Sequence, residues 1–397
     1  MKIGRAPIET ADEASGPRGP RIHAIDGLRG WAVALVFAVH FSGSFTAVHR
    51  ATNFDLVGDF FSLNLTDQLL YWLFYSHYGV YIFFVISGFV ISRSFAGART
   101  LGDYAVFLGH RVLRIYPAFL ISLAAAVLLS IRGSGPAAFD LKRLLANLVF
   151  LNGAFTLNVA PYNGVTWSLF FEFVYYLVFP IVFLVAARTA RPERAAPAIG
   201  LALIVAVAAL GYREWFLYLA FLAGTVAGLQ PDGALRALAA RCRDGWLLGA
   251  YVATTTAACL WLPLARYTPA GFDWRALFPV FVLVLSVVTA LTIVRASYGT
   301  GFLHRALISA PFQMLGRISF SFFLIHTLVI GVVIEFTAPY FGGRLRSAAA
   351  LAVLAFSSSC LLAALLYQIA EKPYYAFRRA SQRAGGVRAR TPNGLRS

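Results

Sequence analysis

Ten apolar runs, separated by short stretches that hold most of the charge, constrain this chain more than any other feature. They fall at roughly 24–46, 77–97, 115–131, 166–187, 196–211, 213–229, 246–264, 275–295, 317–338 and 347–371. About 20 apolar residues in helical form cross the hydrocarbon core of a bilayer, where a segment must satisfy its own backbone polar groups. The pattern therefore predicts an all-α polytopic membrane protein of about ten transmembrane helices. The fifth and sixth runs are short and joined by "GYREW", which predicts a tight hairpin. The run "LLANLVFLNGAFTL" (144–157) is too short to span and is broken by Asn and Gly, so it reads as a re-entrant or interfacial element.

Composition agrees. Only 13% of the 397 residues are charged and 59% are hydrophobic, against about a quarter charged in a soluble domain. The net charge of +17 raises the question of nucleic acid, but the basic residues sit between the apolar runs. With both termini cytoplasmic, 24 Lys and Arg fall on the inner segments and 9 on the outer ones, as the positive-inside rule requires. The cluster "RRASQRAGGVRAR" (378–390) reads as a tail on anionic lipid rather than a nucleic-acid arm. Residues 1–21 are polar and rich in Gly and Pro, which predicts a disordered cytoplasmic N-tail. The transmembrane domain is expected over 22–373 and a basic cytoplasmic C-tail over 374–397, with no appended soluble domain. The first run reads as a signal anchor. Cys242, Cys259 and Cys360 lack metal-ligand spacing and read as structural, with no disulfide framework and no metal.

The polar residues inside the runs carry the chemistry. In "DGLRGWAVALVFAVHF" (26–41), Arg29 and His40 are eleven helical steps apart. That places them within about 20° of one face and about 16 Å apart along the axis, with Asp26 about 40° from His40 on the same side. Polar groups at membrane depth usually serve a site. A histidine bonded to a backbone carbonyl is the plainer reading of His40, and an N-cap is the plainer reading of Asp26 in "IDGLRG". In "HRVLRIYPAF" (110–119), Arg111 and Arg114 are i and i+3 and share a face. They read as positive-inside anchors or as a fork for phosphate groups. In "VTWSLFFEFVYYLVFP" (165–180), Ser168, Glu172 and Tyr176 face one way beneath an interfacial Trp167. Glu172 lacks a cation on its own helix, so it meets a partner elsewhere in the bundle or serves a substrate. His326 is also intramembrane, with Glu335 nine residues on. His77 and His304 lie at span edges and read as structural, and Glu371 with Lys372 reads as an ion-paired stop.

Together these fragments resemble the membrane acyltransferase 3 family, which modifies surface sugars and related acceptors. The resemblance rests on "DGLRG…H" with its R-x10-H spacing, "FFVISGFVISRSF" (83–95), "RVLRIYP", "WSLFFEFVYYLVFP", "GRISFSFFLIH" (316–326) and "EKP", in that order over about 26–380. The chain resembles the stand-alone type that lacks a C-terminal hydrolase-like domain. It departs from the family at Phe173 and Val174, where a second acidic or amide pair is common, and at Ile325, where tryptophan is usual.

The resemblance implies ten helices in the inner (plasma) membrane and acyl-CoA, most simply acetyl-CoA, as a transient donor with no permanently bound cofactor. It makes His40 the catalytic histidine, Arg29 the motif arginine, and Arg111 and Arg114 the donor-side arginines. Glu172 and Asp26 are expected to assist catalysis. Trp167, Ser168, Tyr176 and His326 are expected on the side of a carbohydrate or lipid-linked sugar acceptor. An imidazole away from water is neutral and can accept the acceptor hydroxyl's proton; an acyl-histidine intermediate is the other route. A transporter or flippase using His40, Glu172 and His326 as a path, and an envelope scaffold in which His40 is dispensable, stand as the alternatives.

Overall fold

The computed structural model describes residues 23–49, 65, 68, 72, 78–95, 100–135, 138–265, 277–341 and 345–378. The expected N-tail, His77 and all but the first five residues of the C-tail lie outside them. Among the described residues there is no strand. The helices are α1 (His23–His49), α2 (Gly79–Phe95), α3 (Leu101–Ser134), α4 (Leu141–Leu148), α5 (Trp167–Ala186), α6 (Pro192–Ala209), α7 (Tyr218–Gly228), α8 (Asp232–Arg241), α9 (Asp244–Ala265), α10 (Phe278–Tyr298), α11 (Phe302–Leu307), α12 (Ala310–Arg317), α13 (Ser319–Thr337) and α14 (Leu345–Leu366).

Among the described residues, seven segments are long and apolar enough to cross a membrane: His23–Phe45, Leu101–Ser134, Gly164–Ala186, Pro192–Ala209, Phe278–Tyr298, Ser319–Thr337 and Arg346–Arg378. The runs expected at 77–97, 213–229 and 246–264 form α2, α7 and α9, of 17, 11 and 22 residues, which are not among those seven. The short α7 closes the expected hairpin. Gly211, with φ of +82°, turns the chain after α6, and a 3-10 turn at Trp215–Leu217 leads into α7.

Three boundaries differ from the sequence expectation. The third run is part of a 34-residue helix that starts on a capping box, in which Thr100 Oγ1 accepts from Asp103 N–H and the Asp103 carboxylate accepts from Thr100 N–H. At 1.5 Å per residue α3 is about 51 Å long and exceeds the hydrocarbon thickness, so Arg111 and Arg114 lie inside an unbroken helix. The last run passes through a π-helical turn at Tyr367–Glu371 and continues in helical form to Arg378. Residues 141–157 form the amphipathic α4, capped by Asp140, and two 3-10 turns at Leu151–Gly153 and Phe155–Leu157. These turns pack on α5 so closely that a Cβ at Gly153 would sit 2.2 Å from the Trp167 carbonyl oxygen.

The bundle centres on α1 and α2. α1 packs against α2, α12 and α13, and α2 against α7 and α10. Small residues permit the closest approaches, as is usual where helices meet in lipid. A Cβ at Gly88 of α2 would lie 2.1 Å from the Phe221 carbonyl oxygen, and one at Gly224 of α7 would lie 2.0 Å from that of Val85. Fully buried aromatics, among them Phe41, Phe89, Phe171, Phe221 and Phe322, fill the spaces between.

Candidate active site

His40 and His326 meet at the centre of the bundle. Their ring centroids are 5.0 Å apart and their planes cross at 72°. His40 Nδ1 lies 2.8 Å from the Val36 carbonyl oxygen on its own helix and 3.3 Å from His326 Nε2. His326 is fully buried, and its Nδ1 lies 3.1 Å and 2.9 Å from the Phe322 and Phe323 carbonyl oxygens. His40 is only half-buried, because it borders a cavity of about 410 Å³. Gly43, Ser44, Val80, Val165, Trp167 and Phe323 form much of the remaining wall. The cavity lies toward the C-terminal end of α1, on the far side of His40 from Arg29.

Trp167 reaches this wall because the loop before α5 is tied to α13. Asn163 Nδ2 donates to the Leu324 carbonyl at 2.6 Å, and Thr327 Oγ1 donates to Asn163 Oδ1 at 3.2 Å. Asn152 Nδ2 donates to Thr166 Oγ1 at 3.0 Å and joins the interfacial turns to the same loop. Sequence reading missed Asn163 and Thr327, although both flank motifs it singled out.

The other expected site residues gather at the Arg29 end. Arg111 stacks over the rings of Phe107 and Tyr176, at 5.0 Å and 5.1 Å from their centroids. Glu172 accepts from Tyr176 OH and, at 2.7 Å, from Ser87 Oγ of α2. Arg114 lies within electrostatic range of Glu371 and Glu172, and Glu371 within range of Arg29 as well. Arg29, Arg111 and Arg114 are all half-buried, so the cations converge with part of their surface open.

This division separates residues that the sequence grouped. Trp167 belongs to the His40 cavity, whereas Glu172 and Tyr176 belong with Arg111. Ser168 is buried and donates to the Val165 carbonyl at 3.3 Å. Asp26 lies in the first turn of α1, after a helix start at His23, and so does not cap it. Fourteen residues of helix put Asp26 about 21 Å from His40 along the axis, too far to share reacting atoms. Glu371 does not pair with Lys372. It turns inward, 1% exposed, and accepts from Ser321 N–H at 3.2 Å and Ser321 Oγ at 2.5 Å, while Lys372 Nζ donates to Gln368 Oε1 at 2.7 Å. The reading failed because a Glu–Lys neighbour pair in sequence points to different sides of a helix. His304 is structural as expected, with Nδ1 2.6 Å from the Ala296 carbonyl oxygen. Glu335 pairs with Arg132 at the surface, 3.0 Å apart. Among the described residues no group of His, Cys, Asp and Glu is disposed to hold a metal ion, and Cys242, Cys259 and Cys360 are thiols that form no disulfide.

The acyltransferase 3 family, described as an acyltransferase domain, matches residues 22–368. Acyltransferase MdmB of Streptomyces mycarofaciens is 25% identical over 391 aligned residues, covering 90% of this chain and 92% of that protein. Nodulation protein 10 of Rhizobium leguminosarum bv. viciae is 31% identical over 202 residues, 43% of this chain and 52% of that protein's length. No solved structure matches the chain. A match that takes in both histidines, all three convergent arginines and most of the helical bundle shows that the chain belongs to the acyltransferase 3 family, as a multi-pass membrane enzyme that transfers acyl groups other than aminoacyl groups.

Proposed function

We propose that the protein is an O-acyltransferase, most simply an O-acetyltransferase, that takes its acyl group from cytoplasmic acyl-CoA. The acceptor is a hydroxyl of a surface polysaccharide, glycolipid or related molecule. In this reading the chain crosses the inner membrane ten times with both termini cytoplasmic, an orientation supported by the excess of Lys and Arg on the inner segments.

The observation that carries the reading is the separation of two chemistries along α1. Three arginines converge at one end, and an imidazole borders a cavity farther along. Guanidinium groups suit phosphate, which they grip in a bidentate fork. Arg111 and Arg114 hold the phosphates of the coenzyme, Arg29 steadies the donor, and the extended pantetheine arm covers the roughly 16 Å to His40. Glu172 supplies the counter-charge for this cluster and, through Tyr176, fixes the ring on which Arg111 lies. The acceptor occupies the cavity against Trp167. His40 removes its hydroxyl proton, the oxygen attacks the thioester carbonyl, and the coenzyme leaves as a thiolate that takes up a proton.

Mass spectrometry of the lipids and glycans of cells with and without this chain tests the reading. One acceptor should lose a mass of one acyl group when the chain is absent. An unchanged acylation profile, with the protein expressed and inserted in the control, would contradict it.

A further inference from the structure

We propose that His326 is a positioning residue that holds His40 in the tautomer needed for proton abstraction. The inference rests on the reading of His40 as the base and adds the partner that orients it.

The assignment follows from four distances. A carbonyl oxygen only accepts, so a ring nitrogen in hydrogen-bond contact with one must carry a proton. His326 Nδ1 faces two carbonyl oxygens, of Phe322 and Phe323, at 3.1 Å and 2.9 Å. It is therefore an N–H, and a neutral His326 then has a bare lone pair at Nε2. That lone pair points at His40 Nδ1, 3.3 Å away, which also faces the Val36 carbonyl oxygen at 2.8 Å. Both neighbours of His40 Nδ1 are acceptors, so the proton of neutral His40 sits on Nδ1 and is shared between them. The lone pair of His40 is left on Nε2. The opposite arrangement would set the lone pairs of His326 Nδ1 and His40 Nδ1 against three carbonyl oxygens and leave all three without a donor from these rings.

His326 is well suited to hold still. It is fully buried, its ring lies nearly parallel to Phe322 at 13°, and both of its nitrogens are committed. It cannot relay a proton, because Nδ1 is blocked by backbone. Its role resembles the orienting member of a catalytic triad, filled here by a neutral group. When His40 takes the acceptor's proton at Nε2, the resulting imidazolium keeps its Nδ1–H bonded to Val36 and His326, so no rearrangement accompanies the transfer. Restriction of the pair by its own helices also explains why each histidine bonds the carbonyl four residues back.

The test is nitrogen-15 NMR of histidine-labelled protein in lipid bilayers, with the His40→Ala and His326→Gln proteins used to assign signals. Both rings should be neutral, protonated at Nδ1 and bare at Nε2. A His40 protonated at Nε2 in the wild-type protein overturns the proposal, whatever any variant does. Kinetics supply a second readout. His326→Asn keeps an N–H near the carbonyls but offers no acceptor to His40, and should lower kcat about tenfold or more with donor KM unchanged. His326→Gln, whose Oε1 reaches the position of the lost Nε2, should recover most of that kcat. Equal loss in both variants, or none in either, would reduce His326 to packing. If His40→Ala keeps full activity, the base reading itself fails, a result separable from the tautomer measurement.

Discussion

The arginines make the sharpest demands on individual side chains. If Arg111 and Arg114 bind phosphates remote from the thioester, their contacts contribute equally to ground and transition states. Arg111→Ala and Arg114→Ala should then raise donor KM about tenfold or more while leaving kcat within a few-fold, and Lys at either position should restore only part, because the planar fork is lost. A kcat defect with unchanged donor KM would contradict this. Glu172→Gln keeps oxygen acceptance from Ser87 and Tyr176 but removes the charge beside Arg111. It should fold and insert normally and show a changed donor KM, with acceptor KM unaltered; an acceptor-side defect would return Glu172 to the His40 cavity. The placement of Glu172 was not legible in the sequence. Its helix carries Trp167 and Glu172 only five residues apart, yet neighbouring helices claim them for opposite sites. Helical periodicity gives the face a residue occupies and not the neighbour that face meets. The R-x10-H stripe was legible, because one helix carries both ends of it, and the approach of His326 to His40 was not, because it depends on the packing of α1 on α13.

Helix pairs make their own predictions. α2 and α7 approach through Gly88, Gly224 and Gly228, where an added Cβ would meet backbone or Ser92 Oγ at about 2 Å. Gly224→Leu should lower stability by about 1–3 kcal/mol or more through overpacking, read as a fall in thermal midpoint in detergent, and an unchanged midpoint would show that the helices can part freely. The non-spanning segments are tied by ions. Tyr298 OH at 2.8 Å and Arg93 hold the Asp232 carboxyl below the usual carboxylate range. Burial works against the Asp244 carboxylate, but Arg295 Nε at 2.5 Å and Leu303 N–H at 3.1 Å hold it below that range too. A depressed folded value means that the stabilisation is complete above the unfolded value of about 4 and is lost as pH falls through the folded one. The thermal midpoint should therefore drop on acidification below pH about 4, and Asp244→Asn should flatten part of that drop. Equal slopes for both proteins would show that the pair is not linked to folding. None of these ties could be read from the sequence, since Asp244 and Arg295 lie 51 residues apart.

Considered as one bundle, the protein brings a basic end and an imidazole-bordered cavity into one continuous helix, α1, and holds that helix between α2, α12 and α13. Hydropathy made the all-helical class and the approximate positions of the long apolar helices legible. It did not show that α3 runs unbroken for 34 residues or that the last helix turns Glu371 inward, because both depend on capping and packing. The account as a whole stands on acyl transfer at His40. The most direct measurement is thioester consumption and acyl-product formation by the purified chain in proteoliposomes, with labelled acetyl-CoA and an envelope extract as acceptor, compared between the wild-type protein and His40→Ala. The wild-type protein should release free coenzyme and label an acceptor, and a folded His40→Ala protein should bind the donor normally with kcat reduced by at least about a hundredfold. A folded His40→Ala protein that transfers the acyl group at the wild-type rate would contradict the account.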